Sequence, residues 1–255
     1  MSLIVFTDLD GTLLDHATYS HAAAAPALDA LKRHGIPLIL ATSKTAAEVA
    51  DLHAHLDLST PAIVENGAGL YRPGDTDGEA GDYTRLRAAL ADLRPGPAEA
   101  FLGFGDIGPE GVARATGLSP GAAMRAAARR FSEPGLWQGD AAGLCAFVAA
   151  LDTRGITARQ GGRFLTLSFG ATKAARMAGI MAELGRNTAI ALGDAPNDAE
   201  MLEAADHGVI IRNDHGAPVP ALPGESLGRI HRTTLPGPAG WNEAILGLLT
   251  ERGYQ

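Results

Sequence analysis

The chain has 255 residues, of which 46% are hydrophobic and 20% are charged, and its formal net charge is −8. This composition supports a large buried core and excludes a disordered chain. The negative charge and the scattered Lys and Arg residues argue against a nucleic-acid-binding surface, and no stretch of about 18 apolar residues predicts a membrane span.

Strands and helices alternate from the beginning of the chain. Apolar, β-prone runs predict three strands, at residues 3–7, 37–41 and 62–65. The intervening helices are predicted to end near His34, before Gly35, and near Leu56. Thr45 and Glu48 have the spacing of a capping box at the start of the second helix. This alternation predicts parallel βαβ units, and therefore a doubly wound α/β sheet with its ligand site at the carboxyl ends of the strands.

The middle of the chain has a different pattern. Residues 72–82 are rich in Gly, Pro, Asp and Glu, which is typical of a linker. The predicted elements that follow are helices at 85–93, 119–130 and 141–154, a loop at 103–106, and strands at 157–160 and 164–168. We therefore expect a smaller α+β domain, residues 82–169, inserted into a core formed by residues 1–81 and 170–255.

Alternation resumes after Gly170. The predicted elements are helices at 173–184, 201–205 and 241–249, and strands at 188–192 and 209–211. This pattern predicts that the chain returns to the first sheet.

The single cysteine, Cys145, lies in an apolar helical stretch, and both it and Met124 are predicted to pack in the core. One cysteine cannot form an internal disulfide, which favours a reducing compartment. No cationic leader precedes the first strand. We therefore expect a cytoplasmic protein. We also expect a monomer or a weak homodimer.

Two acidic pairs follow predicted strands. Asp8 and Asp10 come after the first strand, and Asp194 and Asp198 come after the strand at 188–192. Such clustered negative charge requires a cation, and carboxylate oxygens are the ligands that Mg²⁺ prefers. Lys173 supplies a positive charge that can bind phosphate.

Hydroxyl groups follow the second strand. Thr42 and Ser43 offer hydroxyl and backbone donors to phosphate oxygens at the same edge of the predicted sheet. The residues therefore favour a site for a phosphorylated ligand and a divalent cation.

Four segments now match one family in order. They are the DxDGT motif at residues 8–12, Thr42 with Ser43, the isolated Lys173, and the GDxxxD motif at residues 193–198. In these segments the chain resembles the haloacid dehalogenase superfamily of phosphatases. The joint match is specific, although each motif alone is weak.

The resemblance implies a role for each matching residue. Asp8 is implied to be the nucleophile, and Asp10 the general acid and base. Mg²⁺ is implied to bind Asp8, the backbone carbonyl of Asp10, Asp194 and, directly or through water, Asp198. The implied phosphate-binding residues are Thr42, Ser43, Lys173 and Asn197.

The insertion resembles the larger cap of subclass IIB, whose members mostly act on sugar phosphates. Within that subclass the chain is most similar to the mannosyl-3-phosphoglycerate phosphatase family, in the segments Val5–Asp15, Thr42–Thr45, Ile63–Gly67, Gly103–Asp106, Arg129–Pro134 and Gly161–Phe164. Two departures leave the sugar open: Thr172 and Ala174 flank Lys173 in place of the usual acidic residue and Gly, and residues 165–167 lack an aromatic residue and a histidine.

The candidate substrate-binding residues are Asn66, Ser132, Glu133 and Arg163. Arg163 suits a glycerate carboxylate, and Ser132 and Glu133 suit sugar hydroxyls. Three of these residues have a simpler interpretation: a surface ion pair for Arg163, a helix terminus for Glu133, and a left-handed turn for Asn66.

The expected reaction is hydrolysis of a small phosphorylated sugar or glycosylglycerate, with mannosyl-3-phosphoglycerate or its glucosyl analogue as substrate. No nucleic-acid or membrane partner is expected. The alternatives are a phosphatase acting on another sugar phosphate and a phosphosugar mutase on the same fold. A non-catalytic phospho-sensor fits less well, because receiver domains lack both the acid two residues after the nucleophile and the cap.

Overall fold

The computed structural model describes residues 2–74 and 81–254. The predicted linker at 72–82 therefore falls partly outside the described residues. The strands within these ranges are β1 (Leu3–Thr7), β2 (Leu38–Leu40), β3 (Ala62–Val64), β4 (Gly69–Tyr71), β5 (Phe101–Gly103), β6 (Glu133–Trp137), β7 (Thr157–Gly161), β8 (Phe164–Ser168), β9 (Thr188–Gly193), β10 (His207–Arg212) and β11 (Ile230–Pro236). The α-helices are α1 (Ala25–Arg33), α2 (Ala46–His55), α3 (Gly81–Asp92), α4 (Phe104–Thr116), α5 (Pro120–Ala127), α6 (Ala141–Asp152), α7 (Lys173–Glu183), α8 (Ala199–Ala204), α9 (Pro223–Ser226) and α10 (Gly237–Glu251).

The described chain forms two compact units. The first comprises the residues up to Thr42, Ser59–Gly67, and the residues from Thr172 onward. The second comprises Ser43–Leu58 and Ala68–Ala171. The domain limits expected from the sequence, at residues 82 and 169, remain a prediction.

The first unit contains a parallel sheet with the strand order β11-β10-β9-β1-β2. Strand β3 follows β2 through a parallel bridge between Ala41 and Ile63. The chain proceeds outward in one direction from β1 to β3 and in the other from β9 to β11, so the order reverses between β1 and β9. In doubly wound sheets such a switch point is where ligands bind, at the carboxyl ends of the strands.

Burial explains why these segments form the sheet. All five residues of β1 are buried, as expected for a central strand that is covered on both faces. Helix α10 contributes Trp241, which is fully buried and donates its indole N–H to the Thr7 hydroxyl over 2.9 Å. The fold class predicted for this unit is therefore confirmed.

The second unit contains a four-stranded antiparallel sheet with the order β5-β6-β8-β7. Helices α3 and α6 bury a core against it that includes Leu86, Phe147 and Leu167. Helices α4 and α5 form a smaller cluster around Phe104 and Val112. This is the α+β unit that the sequence predicted.

The loop predicted at residues 103–106 is wrong, because β5 ends there and α4 begins. Gly103 is the N-cap of α4, and its backbone N–H donates to the Asp106 carboxylate over 2.9 Å. The glycines of this segment indicate a loop when they are considered alone. In the structure a Cβ at Gly103 would overlap the Glu133 side chain, so close packing requires the glycine.

The predicted burial of Cys145 and Met124 is also wrong. Cys145 is exposed, and Met124 is 63% exposed. Helix α6 buries Phe147 and Leu151 instead, and α5 buries its small residues Ala123 and Ala126. Apolar composition alone did not identify which face of each helix packs.

No described helix is both long and apolar enough to cross a bilayer.

Candidate active site

The switch point of the parallel sheet carries two aspartates. Asp8 follows β1, and its backbone N–H donates to the carbonyl of Leu192 in β9 over 2.9 Å. Asp194 follows β9 directly. The pairing of the two strands thus brings together two acidic residues that are far apart in the sequence.

The turn after Asp8 requires a glycine. Gly11 has φ of 84°, and a Cβ there would lie 2.8 Å from the Asp194 carboxylate. The glycine of the DxDGT motif therefore lets this turn approach the acidic group closely.

Lys173 lies between two carboxylates. Its Nζ donates to Oδ1 of Asp8 and to Oδ1 of Asp198, each over 2.7 Å. The Lys173 side chain is 2% exposed. Lys173 is the first residue of helix α7, whose N-cap is Thr172. The hydroxyl of Thr172 accepts the backbone N–H of Ala175, which gives the unusual Thr beside Lys173 a structural role.

Three carboxylates form a group that suits a divalent cation. Within residues 2–74 and 81–254, Asp8, Asp194 and Asp198 offer oxygens that all lie within 4.8 Å of one another. Asp198 is oriented by the backbone N–H groups of Asp194 and Ala195, each at 3.1 Å from its Oδ2. This set of hard oxygen donors fits Mg²⁺. The half-buried Asp10 carboxylate does not belong to this group.

Burial changes the proton affinities of this cluster. Burial raises the pKa of Asp8 well above its usual range, and the Lys173 ammonium opposes the increase. Burial also raises the pKa of Asp194, against hydrogen bonds from Thr12 and Asn213. For Lys173 burial alone would lower the pKa, but the carboxylates of Asp198 and Asp8 outweigh it and raise the pKa. A bound cation would therefore favour the ionised form of acids that burial disfavours.

Two side chains hold Asp194 in place. The hydroxyl of Thr12 donates to Oδ1 and the amide of Asn213 donates to Oδ2, each over 2.5 Å. Thr12 belongs to the predicted DxDGT motif, but Asn213 was missed. The available signal was its position immediately after the strand β10, at the same edge of the sheet.

The predicted phosphate-binding residues are divided between the units. In the first unit Thr42 is 1% exposed, and the exposed Asn197 donates its amide to Oδ1 of Asn66 over 3.2 Å. In the second unit the carbonyl of Ser43 accepts a hydrogen bond from Arg129 over 3.0 Å.

The predicted sugar-binding residues lie in the second unit. Ser132 and Glu133 are fully buried. Glu133 accepts from Arg87 over 2.7 Å and from the backbone of Gly105 over 2.9 Å, so that the Gly103–Asp106 and Arg129–Pro134 segments pack together. Arg163 is exposed and donates weakly to the carbonyl of Thr116. Substrate contact by these three residues remains a prediction.

The fold and the site define a class. A parallel α/β unit with carboxylates and a buried lysine at its switch point, accompanied by an antiparallel α+β unit, indicates a haloacid dehalogenase-like phosphohydrolase. The sequence profile of the haloacid dehalogenase-like hydrolases matches residues 5–80 and 154–217. The chain therefore belongs to the haloacid dehalogenase-like hydrolase family, as its motifs predicted, and is a phosphoric monoester hydrolase.

Known proteins extend the similarity to almost the whole chain. A glucosyl-3-phosphoglycerate/mannosyl-3-phosphoglycerate phosphatase from Methanococcoides burtonii is 35% identical over 98% of both chains. The sucrose-phosphatase from Synechocystis sp. PCC6803 has a similar structure, with a TM-score of 0.62 and 19% identity, over 96% of this chain and 97% of that one. A subclass IIB sugar phosphatase has a TM-score of 0.61 and 15% identity over 99% of each chain. The two structural similarities concern the fold alone.

Proposed function

We propose that this enzyme is a Mg²⁺-dependent phosphatase that hydrolyses a small phosphate monoester through an aspartyl-phosphate on Asp8. The observation that carries the proposal is the buried Lys173, which bridges Asp8 and Asp198 beside Asp194. An ammonium group among carboxylates can receive the negative charge of a phosphoryl group, and this is the main requirement of phosphoryl transfer.

The first step is an in-line displacement at phosphorus. A carboxylate oxygen of Asp8 forms a bond to phosphorus as the bond from phosphorus to the leaving oxygen breaks, and Asp10 transfers a proton to that oxygen. Lys173 donates to Asp8 and so favours the ionised nucleophile, against the effect of burial on its pKa. The alcohol then leaves.

The second step reverses the proton transfer. Asp10, now ionised, takes a proton from water as the water oxygen bonds to phosphorus and the bond to Asp8 breaks. Phosphate is released, and Asp8 and Asp10 return to their starting forms.

Three side chains are suited to hold Mg²⁺. They are Asp8, Asp194 and Asp198. We propose the backbone carbonyl of Asp10 as a further ligand. When bound, the ion would neutralise charge on the phosphoryl oxygens. Thr12 and Asn213 orient Asp194 for this task.

The proposed substrate is glucosyl-3-phosphoglycerate or mannosyl-3-phosphoglycerate, which would give the glycosylglycerate and phosphate. The support is the 35% identity, across both chains, with a phosphatase named for these two compounds. In this proposal residues 82–169 select the substrate. The cytoplasmic location and the monomeric or weakly dimeric state remain predictions.

Phosphate release provides the test. Wild-type protein with Mg²⁺ should release phosphate from both glycosyl phosphoglycerates faster than from other sugar phosphates, and Asp8→Asn should release none. Asp29→Asn makes the same chemical change at an exposed position of α1 and should retain full activity. Equal activity of wild type and Asp8→Asn would contradict the mechanism. Preference for another sugar phosphate, or a requirement for a sugar bisphosphate without phosphate release, would contradict the proposed substrate.

A further inference from the structure

Three consecutive residues after β3 have a left-handed backbone. Glu65, Asn66 and Gly67 have φ of 51°, 58° and 95°. Glycine adopts this conformation freely, but a residue with a Cβ adopts it at a cost in energy. A run that includes two such residues persists when surrounding contacts fix it, and such strain is concentrated at functional sites. We call residues 65–67 the left-handed turn.

The left-handed turn contacts the segment after β2. The backbone N–H of Asn66 donates to the carbonyl of Thr42 over 2.9 Å. The backbone N–H of Thr42 donates in turn to the carbonyl of Ile63 over 2.9 Å. Strand β3 therefore binds the backbone N–H of Thr42, and the left-handed turn binds its carbonyl.

The turn also contacts the loop after β9. The exposed amide of Asn197 donates to Oδ1 of Asn66 over 3.2 Å. Asn66 is thus hydrogen-bonded to two predicted phosphate-binding residues, to Thr42 through its backbone and to Asn197 through its side chain.

The third contact is with the beginning of helix α7. A Cβ at Gly67 would overlap the backbone of Thr172 and Lys173, so the two backbones lie in direct contact. Arg176 of α7 donates its Nε to the carbonyl of Gly67 over 2.9 Å. This contact fixes the end of the helix that carries Lys173.

We infer that the left-handed turn is a positioning element that holds Thr42, Lys173 and Asn197 at the separation required for phosphoryl transfer. The inference rests on the proposed function and deepens it. Asn66 acts through its backbone conformation and through Asn197, and does not select the sugar. Of the two interpretations that the sequence left open for Asn66, the turn is the one that these contacts favour.

Paired substitutions at Asn66 test the inference. Asn66→Gly removes the amide but keeps the backbone conformation, whereas Asn66→Ala removes the amide and adds backbone strain. We expect kcat to fall about two- to threefold in Asn66→Gly and about tenfold or more in Asn66→Ala. Each factor should be the same for glucosyl-3-phosphoglycerate and for p-nitrophenyl phosphate, because both substrates share only the phosphoryl group.

A variant outside the turn provides a second measurement. Arg176→Met removes the hydrogen bond to Gly67 and should lower kcat about threefold for both substrates, with KM nearly unchanged. This variant decides the question if Asn66→Ala does not fold. Asp57→Ala is the matched strain control, since Asp57 has φ of 53° after helix α2, in the other unit. It should lose stability and keep wild-type kcat.

Orthovanadate binding, measured by calorimetry with Mg²⁺, supplies a readout without turnover. Its affinity should decrease in the order wild type, Asn66→Gly, Asn66→Ala. Equal losses in Asn66→Gly and Asn66→Ala, or losses confined to the glycosyl substrate, would overturn the inference, as would wild-type kcat in Arg176→Met. Absence of phosphate release from wild type would refute the proposed function instead, and the vanadate series would still test the turn.

Discussion

Replacing Lys173 with Met would leave the carboxylates of Asp8 and Asp198 buried without the ammonium group that bridges them. The exposed fractions of the Lys173, Asp8 and Asp198 side chains are 2%, 11% and 0%, so little water can replace the lost hydrogen bonds. Removing one partner of a buried ion pair typically costs about 3–5 kcal/mol. For a chain of this size each kcal/mol lowers the melting temperature by about 2–4 °C.

The loss should depend on pH in a defined direction. Burial raises the pKa of Asp8 above its usual 3.8, and Lys173 opposes that increase, so the variant should have a still higher pKa at this residue. A folded-state pKa above the unfolded value gives stability that is present at low pH and lost as the pH rises through the folded pKa. The variant should therefore be much less stable than wild type at pH 8, and the difference should become smaller towards pH 4.

Urea unfolding in EDTA measures this difference without metal. The chain has two tryptophans, and Trp241 lies in the core of the first unit, so a Trp137→Phe background makes fluorescence report on that unit. Lys32→Met is the matched control, because Lys32 is exposed on α1 and its loss should change stability by less than about 0.5 kcal/mol. Equal stability of Lys173→Met and wild type at pH 8 would refute the buried ion pairs.

Three further outcomes are expected. In thermal melts, Mg²⁺ at about 100 times its Kd should stabilise the wild-type protein by about 2.7 kcal/mol and leave the stability of Asp194→Ala unchanged. A wild-type protein whose stability does not respond to Mg²⁺ would contradict the metal site. Asn213→Ala should weaken Mg²⁺ binding about tenfold, measured by calorimetry, and its phosphate release should recover at saturating Mg²⁺. An unchanged Kd for Mg²⁺ would show that Asn213 does not orient Asp194. Arg87→Met should destabilise the second unit by about 1–3 kcal/mol, measured by Trp137 fluorescence in a Trp241→Phe background, because Glu133 stays buried after losing a charged partner. No loss would show that this ion pair does not contribute.

Local signals in the sequence were enough to predict the parallel sheet. Strands β1 and β9 lie where apolar runs predicted them, and both hydrogen bonds of the Thr45–Glu48 capping box are present. Because parallel strands end at one edge of a sheet, the sequence also indicated that Asp8 and Asp194 would meet. These predictions depended only on periodicity, capping and topology.

The segments that were missed depend on contacts between distant residues. Helix α4 contains Gly108 and Pro109, so its local propensity indicates a loop, and Gly103 is explained only by the Glu133 side chain that packs on it. Asn213 is 19 residues from the carboxylate it orients, and only the pairing of β10 with β9 brings the two together. Such contacts have no sequence period that could predict them.

In the proposed mechanism Asp8 carries the phosphoryl group during turnover. The direct measurement is acid quenching of the wild-type protein with Mg²⁺ and glucosyl-3-phosphoglycerate, followed by borohydride reduction and peptide mass spectrometry. Reduction of an aspartyl-phosphate gives homoserine, and we predict homoserine at position 8 that depends on substrate and is absent when Mg²⁺ is omitted. Turnover that leaves residue 8 unmodified, or that modifies a different carboxylate, would show that Asp8 is not the nucleophile.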